Sequence, residues 1–280
     1  MARRSRLVGM AVTGMLIGGY APSLLQGMLL AQTSPQTQIQ DSLERAAAPE
    51  EVAQNAALRQ AIELTQQAIQ LYQQGRYSEA EPLFQAALAI SREQLGDRHP
   101  NVATSLNNLA LLYTTQGRYD EAEVLYQDSL AIRREQLGDR HLDVANSLNN
   151  LASLYQDQGR YGEAESLYQD SIIITQGQLG DRHPEVAANL NNLASLYQDQ
   201  GRYGEAETLY QDALSIWREQ LGDRHPNVAT SLNNLALLYD AQGRYSEAEP
   251  LYQDALAIRR EQLGDRHPEI ATRLNNMAKL

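Results

Sequence analysis

The stretch Leu106-Asn107-Asn108-Leu109-Ala110 decides how this chain folds. It returns as Leu148 to Ala152, Leu190 to Ala194 and Leu232 to Ala236, and once more, with one change, as Leu274-Asn275-Asn276-Met277-Ala278. Each return comes 42 residues after the last. The surroundings return with it: Gln116-Gly117-Arg118-Tyr119, then Gln136-Leu137-Gly138-Asp139-Arg140-His141. A fixed period of this length means stacked supersecondary units rather than one globular core.

The spacing of apolar residues defines the unit. Val102, Leu106, Leu109, Ala110 and Tyr113 fall on one helical face. Pro100 precedes them, where a missing N–H costs nothing. Gly117 follows them and can take the left-handed conformation that ends a helix. A second run holds Tyr119, Ala122, Leu125, Tyr126 and Leu130, and Gly138 closes it. It opens with Asp120, Glu121 and Glu123 and ends with Arg133 and Arg134, an order that complements the helix dipole. Ser78 and Glu81 have the spacing of a capping box, and Gly162 and Gly204 stand where two second helices would be capped. No run alternates with period two, which argues against propeller blades. Each unit is therefore expected to be helix, tight turn, helix, short loop, and the class all-α.

These residues resemble the tetratricopeptide repeat family. With Gly117 as the turn glycine, Leu109, Ala110, Tyr113, Ala122 and Tyr126 match its signature. Leu106 stands where the family usually has Trp, and Ser129 where it usually has Ala. The phrases "LNNLA.LY..QGRY.EAE.LY" and "GDRHP.VA" are similar to the kinesin-light-chain-like subclass. The resemblance implies a right-handed superhelical solenoid of antiparallel helix pairs over residues 51–280, five pairs plus one terminal helix. It also implies a peptide-binding concave groove.

The chain has 280 residues, no Cys and a net charge of −12. Disulfide and thiolate chemistry are thereby excluded. The acidic balance, without a basic patch, disfavours nucleic acid and anionic lipid surfaces as partners. Residues 1–31 carry Arg3, Arg4 and Arg6, then the apolar run Leu7 to Ile17, then Leu29-Leu30-Ala31 before Gln32. This reads as a secretory signal peptide, so the protein is expected to be exported, periplasmic or secreted. Cleavage would remove three arginines and no acid, taking −12 to −15. The alternative is an uncleaved membrane anchor over residues 7–30, the one route to a membrane. Residues 32–50 are rich in Gln, Thr, Ser and Pro and read as a flexible linker. Pro268 to Leu280 reads as a lone first helix, either a cap made polar by Arg273 and Lys279 or the cut end of a longer chain.

The candidate binding residues sit on the face away from the core stripe. They form two asparagine columns: Asn107, Asn149, Asn191, Asn233 and Asn108, Asn150, Asn192, Asn234, continued by Asn275 and Asn276. The resemblance implies that these positions line the groove. An Asn amide both donates and accepts, so it can hold a peptide backbone whatever its side chains. Asn also disfavours helix interiors, so the columns need a reason. The competing reasons are an inter-repeat Asn ladder or plain duplication. Leu111 and Leu237 would add apolar contacts. Other groove positions are small and neutral, with no Lys or Arg before Arg273 and Lys279, so an extended or helical segment of modest charge fits better than a terminal carboxylate.

His99, His141, His183, His225 and His267 each follow Asp-Arg. Stacked repeats hold them too far apart to share one metal ion, so they read as caps of the next helix. Of 15 tyrosines, all but Tyr20 fall in three columns typified by Tyr113, Tyr119 and Tyr126, read as core. Trp217 interrupts its column and reads either as an exposed contact or as a local packing choice. No catalytic motif, metal set or cofactor loop is present. The sequence thus describes a scaffold that binds segments of protein partners and is not itself an enzyme. Two alternatives stand beside it. One is the recognition arm of a larger exported protein, whose catalytic domain, such as the CHAT protease-like domain found in similar proteins, lies beyond this chain. The other is a scaffold that associates with itself end to end.

Overall fold

Each phrase of the repeat folds as two antiparallel helices joined through one glycine. The computed structural model describes residues 49–263. The expected export segment, the linker up to residue 48 and the last helix lie outside the described residues. The described residues hold ten helices and no strand. The first helices of the five pairs are α1 (Pro49–Gln73), α3 (Pro100–Thr115), α5 (Leu142–Asp157), α7 (Pro184–Asp199) and α9 (Pro226–Ala241). The second helices are α2 (Tyr77–Leu95), α4 (Tyr119–Leu137), α6 (Tyr161–Leu179), α8 (Tyr203–Leu221) and α10 (Tyr245–Leu263). The helix α1 starts on Pro49, so the last two residues of the expected linker are helical.

The turn inside each pair is set by backbone chemistry. Gly117 has φ 75°, which a side chain would disfavour. Its N–H reaches the Thr114 carbonyl at 3.0 Å, and the Arg118 N–H reaches the Tyr113 carbonyl at 2.9 Å. These two bonds define a Schellman motif. Arg118 is at once the N-cap of α4, so the second helix begins directly.

That immediacy corrects two expectations. Ser78 and Glu81 form no capping box, because α2 already starts at Tyr77 with Arg76 as N-cap and no side-chain cap bond. Glu81 instead accepts from the Arg118 guanidinium of the next repeat at 2.8 Å, a stronger charge-assisted bond. Gly162 and Gly204 are not caps either; they are the second residues of α6 and α8, behind Arg160 and Arg202.

The turn between pairs uses histidine. Gly138 ends α4 at φ 83°, and the chain re-enters a helix four residues later, at Leu142. His99, His141, His183 and His225 are the N-caps of α3, α5, α7 and α9, each accepting through Nδ1 the N–H two residues on. The expected capping role is the one these four side chains perform.

Burial follows the apolar spacing. Val102, Leu106, Ala110 and Leu112 are fully buried on α3, and Ala122, Tyr126 and Leu130 meet them from α4. Ala122, Ala164, Ala206 and Ala248 have no exposed surface, and only a methyl group allows that close an approach. Consecutive first helices (α3 and α5, α5 and α7, α7 and α9) touch one another, whereas consecutive second helices make no comparable approach. The stack therefore bends with the first helices inside, in a solenoid of antiparallel pairs.

Two tyrosine columns are core. Tyr113, Tyr155, Tyr197 and Tyr239 are buried, as are Tyr126, Tyr168 and Tyr210. The third column departs from expectation. Tyr119 and Tyr161 are half-buried, and Tyr203 and Tyr245 are exposed, because this residue opens the second helix at the rim of the turn. Trp217 resolves as packing: it is 1% exposed and its indole N–H donates to the Pro184 carbonyl at 3.1 Å. No described helix is long and apolar enough to cross a membrane.

Candidate peptide-binding groove

The inner face is built from α3, α5, α7 and α9, whose buried stripes turn the other side outward. Asn107, Asn108, Asn149, Asn150, Asn191, Asn192, Asn233 and Asn234 are all half-buried on these four helices. Neighbouring repeats bring the two columns together. The Asn150 amide donates to Asn107 Oδ1 at 2.8 Å, Asn192 to Asn149 at 3.1 Å and Asn234 to Asn191 at 3.1 Å. The second Asn of one repeat thus holds the first Asn of the repeat before it. This is a ladder, and it explains why asparagine stands mid-helix against its propensity. Each rung uses one of two amide hydrogens on one side chain and one lone pair on the other, which leaves hydrogen-bonding capacity at a half-open surface.

Apolar and polar positions flank the ladder. Leu111 is half-buried and Leu237 is 44% exposed, while Ser153 and Ser195 occupy the same position in the middle repeats. Towards the C-terminal ends of α5 and α7 a polar cluster replaces apolar contact. The Gln156 amide donates to Asp199 at 2.6 Å and to Ser195 at 3.3 Å, and accepts from the Tyr168 hydroxyl at 3.1 Å. Partial desolvation pushes the Asp157 carboxyl up to about 6, and the Asp199 carboxylate adds to the shift, although both residues keep more than a third of their surface exposed and water screens the effect. Burial also raises Asp199, although the Gln156 hydrogen bond opposes the effect. Burial raises the Tyr168 hydroxyl as well, helped by both aspartates.

A second set of residues, not singled out from the sequence, locks the edge of this face. Arg118 lies over the Tyr113 ring at 3.7 Å. It donates to Glu121 of its own repeat at 2.7 Å and to Glu81 of the preceding repeat at 2.8 Å. Arg160, Arg202 and Arg244 repeat the arrangement on Tyr155, Tyr197 and Tyr239, each bridging two glutamates. The recurring phrase "GRY.EAE" carried the signal, since Arg and both Glu recur with it. Only the stack shows that one glutamate serves the next repeat's arginine.

The fold now bears comparison with known proteins. The profile of the tetratricopeptide repeat family matches residues 59–135, 113–177, 143–207, 185–261 and 241–280. The chain belongs to the tetratricopeptide repeat family. Among solved structures, it is similar to a Podosopora anserina protein of the kinesin-light-chain type with nearly identical TPR-like repeats. Identity is 29%, TM-score 0.60, and the match covers 74% of this chain and 98% of that one. It is also similar to BtubC (BKLC) from P. vanneervenii, at 26% identity and TM-score 0.60, over 79% of this chain and 95% of that one. PilF of Pseudomonas aeruginosa shares the fold at 21% identity and TM-score 0.51, over 81% of this chain and 85% of that one. No curated protein matches the sequence. This tetratricopeptide repeat protein is thus kinesin-light-chain-like in its repeats. The family's general role is a non-catalytic scaffold for protein–protein interaction.

Proposed function

We propose that this protein holds a segment of a partner protein along the inner face of its repeats, with the asparagine ladder as the gripping surface. What supports this reading is the hydrogen-bonding capacity that the ladder leaves on half-buried amides. Its rungs fix the amides in one orientation before any partner arrives, so little side-chain entropy is lost on binding. Amide donors and acceptors recognise peptide backbone, and the exposed Leu237 supplies apolar contact at one end.

The test uses peptides selected from a displayed library against the full chain. A photo-reactive phenylalanine analogue replaces either Leu237 on the inner face or Ile173, which is 65% exposed on α6. Selected peptides are expected to cross-link at position 237 and not at 173. Cross-linking confined to 173 would place the binding surface elsewhere.

A further inference from the structure

The third repeat breaks the charge pattern of the outer face. Near the end of the second helix the other repeats carry Arg92-Glu93, Arg134-Glu135, Arg218-Glu219 and Arg260-Glu261. At the same place α6 has Gln176-Gly177, and from Ser171 to Leu179 it carries no charge. Three of the glutamates have a fixed task. Glu135, Glu219 and Glu261 bind Arg98, Arg182 and Arg224, each the arginine of the loop before its helix pair. Arg182 also donates to Ser215 at 2.9 Å. In the third repeat, 42 residues earlier, these positions are Arg140, Gly177 and Ile173.

Arg140 therefore stands beside Ile173 and Gly177, and neither side chain offers it an acceptor. The acids of its own repeat are engaged elsewhere. Asp139 pairs with Arg134, Glu135 holds Arg98, and Asp143 lies against His141 while Arg133 binds its carbonyl. Asp181 has Gln176 where its counterparts Asp97, Asp139 and Asp223 have a pairing arginine, yet it does not pair with Arg140. Among the described residues the Arg140 side chain has no ion pair and no hydrogen bond. Packing does not ask for this break. A Cβ on Gly177 would meet no atom within 4 Å, so the glutamate of the other repeats fits. Glycine is also among the poorest helix formers, and it stands inside α6. Beside it Ile173 is 65% exposed, the most of any large apolar side chain among the described residues. Its counterparts Ala131, Ser215 and Ala257 are small.

We propose that this stretch of α6 docks a partner protein whose acidic side chain replaces the missing glutamate on Arg140, with an apolar side chain packed on Ile173. Charge complementarity selects that partner. The free guanidinium is a planar fork that matches one carboxylate, and the open space over Gly177 admits it. Asp181, past the end of α6, disfavours a second acid and so sets the partner's direction. The site lies on the outer face and does not rest on the groove reading.

The test titrates the full chain, with isotope-labelled isoleucine methyl groups and arginine side chains, and follows it by NMR. Two capped peptides are used that differ only in carrying glutamate or glutamine beside a leucine. The glutamate peptide is expected to shift the Ile173 and Arg140 signals with about millimolar affinity, and the glutamine peptide to bind about five-fold more weakly. So weak a contact is lost during selection from a library; a partner protein adds area around it. The net charge of −12 works against an acidic peptide, so a preference for glutamate is local. Gly177→Glu supplies the carboxylate from the chain itself and is expected to abolish the Ile173 shift. Ile173→Ala is expected to reduce the Arg140 shift. Both substitutions restore residues that other repeats carry, so both variants are expected to fold, which circular dichroism checks. Equal binding of the two peptides, or an undiminished shift in Gly177→Glu, would overturn the inference. So would shifts of the same signals on raising the protein concentration alone, which would make a second copy the occupant.

Discussion

Asp157 shows how one residue reports on the surface around it. Its carboxyl is pushed from 3.8 up to about 6 by partial desolvation and by Asp199, an effect that water screens because the residue is more than a third exposed. A raised carboxyl pKa means that the folded protein holds the proton longer than the unfolded chain does. Asp157 therefore contributes stability below about pH 4 that is lost as pH rises, and the penalty is complete above about pH 6. D157N lacks this dependence. Its Tm is expected to exceed that of the wild type by about 1–2 °C at pH 7.5, with the gap closing by pH 4. A gap that is constant with pH would mean the carboxyl titrates normally. Neither the shift nor its cause is visible in the sequence, where Asp157 follows Gln156 as Asp199 follows Gln198. The histidine caps were legible, because a residue before a helix-starting Pro has few other roles.

At the scale of the helices, the repeats are alike along the asparagine ladder and the arginine–glutamate edge and unlike in one column of the second helices. Ser91, Arg133, Thr175, Trp217 and Arg259 occupy one column on the second helices. Each makes its own contact. Ser91 bonds back to the Ala87 carbonyl at 2.8 Å. Arg133 is buried and donates to Ser147 at 2.8 Å and to the Asp143 carbonyl at 3.0 Å. Thr175 accepts from Asn189 at 3.0 Å, and Trp217 donates to Pro184. Near-identical repeats risk stacking in the wrong order, and unlike junctions oppose that. Trp217 packs with Val186, Ala187, Val228, Ala229 and Leu232, so it ties α8 to the helices on both sides. Trp217→Ala is expected to cost about 3–5 kcal/mol in chemical denaturation. A loss below about 1 kcal/mol would show that the junction repacks around the gap. The sequence placed Trp217 outside its column's pattern but could not say whether it faced solvent, because helical periodicity fixes a face and not the neighbour across it.

At the scale of the whole molecule, each repeat contacts the next and few contacts reach further. Stability is then close to a sum of repeat and junction contributions. Removing one complete unit, His141 to Arg182, joins Arg140 to His183 and restores every backbone turn. The shortened chain is expected to keep its helicity per residue and to melt several degrees lower, read by circular dichroism. Loss of helicity throughout would show a single cooperative core instead. The sequence by itself determined the repeat length, the two helices, the glycine turns, the histidine caps and the family. Those follow from local periodicity and backbone geometry, which a 42-residue copy repeats in full. It left the asparagines open between ladder and ligand, took Tyr203 and Tyr245 as core, and gave Glu81 to a capping box. Only the tertiary structure decided that Asn150 bonds to Asn107, that Glu81 belongs to Arg118, and that Gln156 bonds to Asp199. The physical reason is that these pairs cross from one repeat to the next. The rise and twist between repeats, set by how buried stripes interlock, choose the partners.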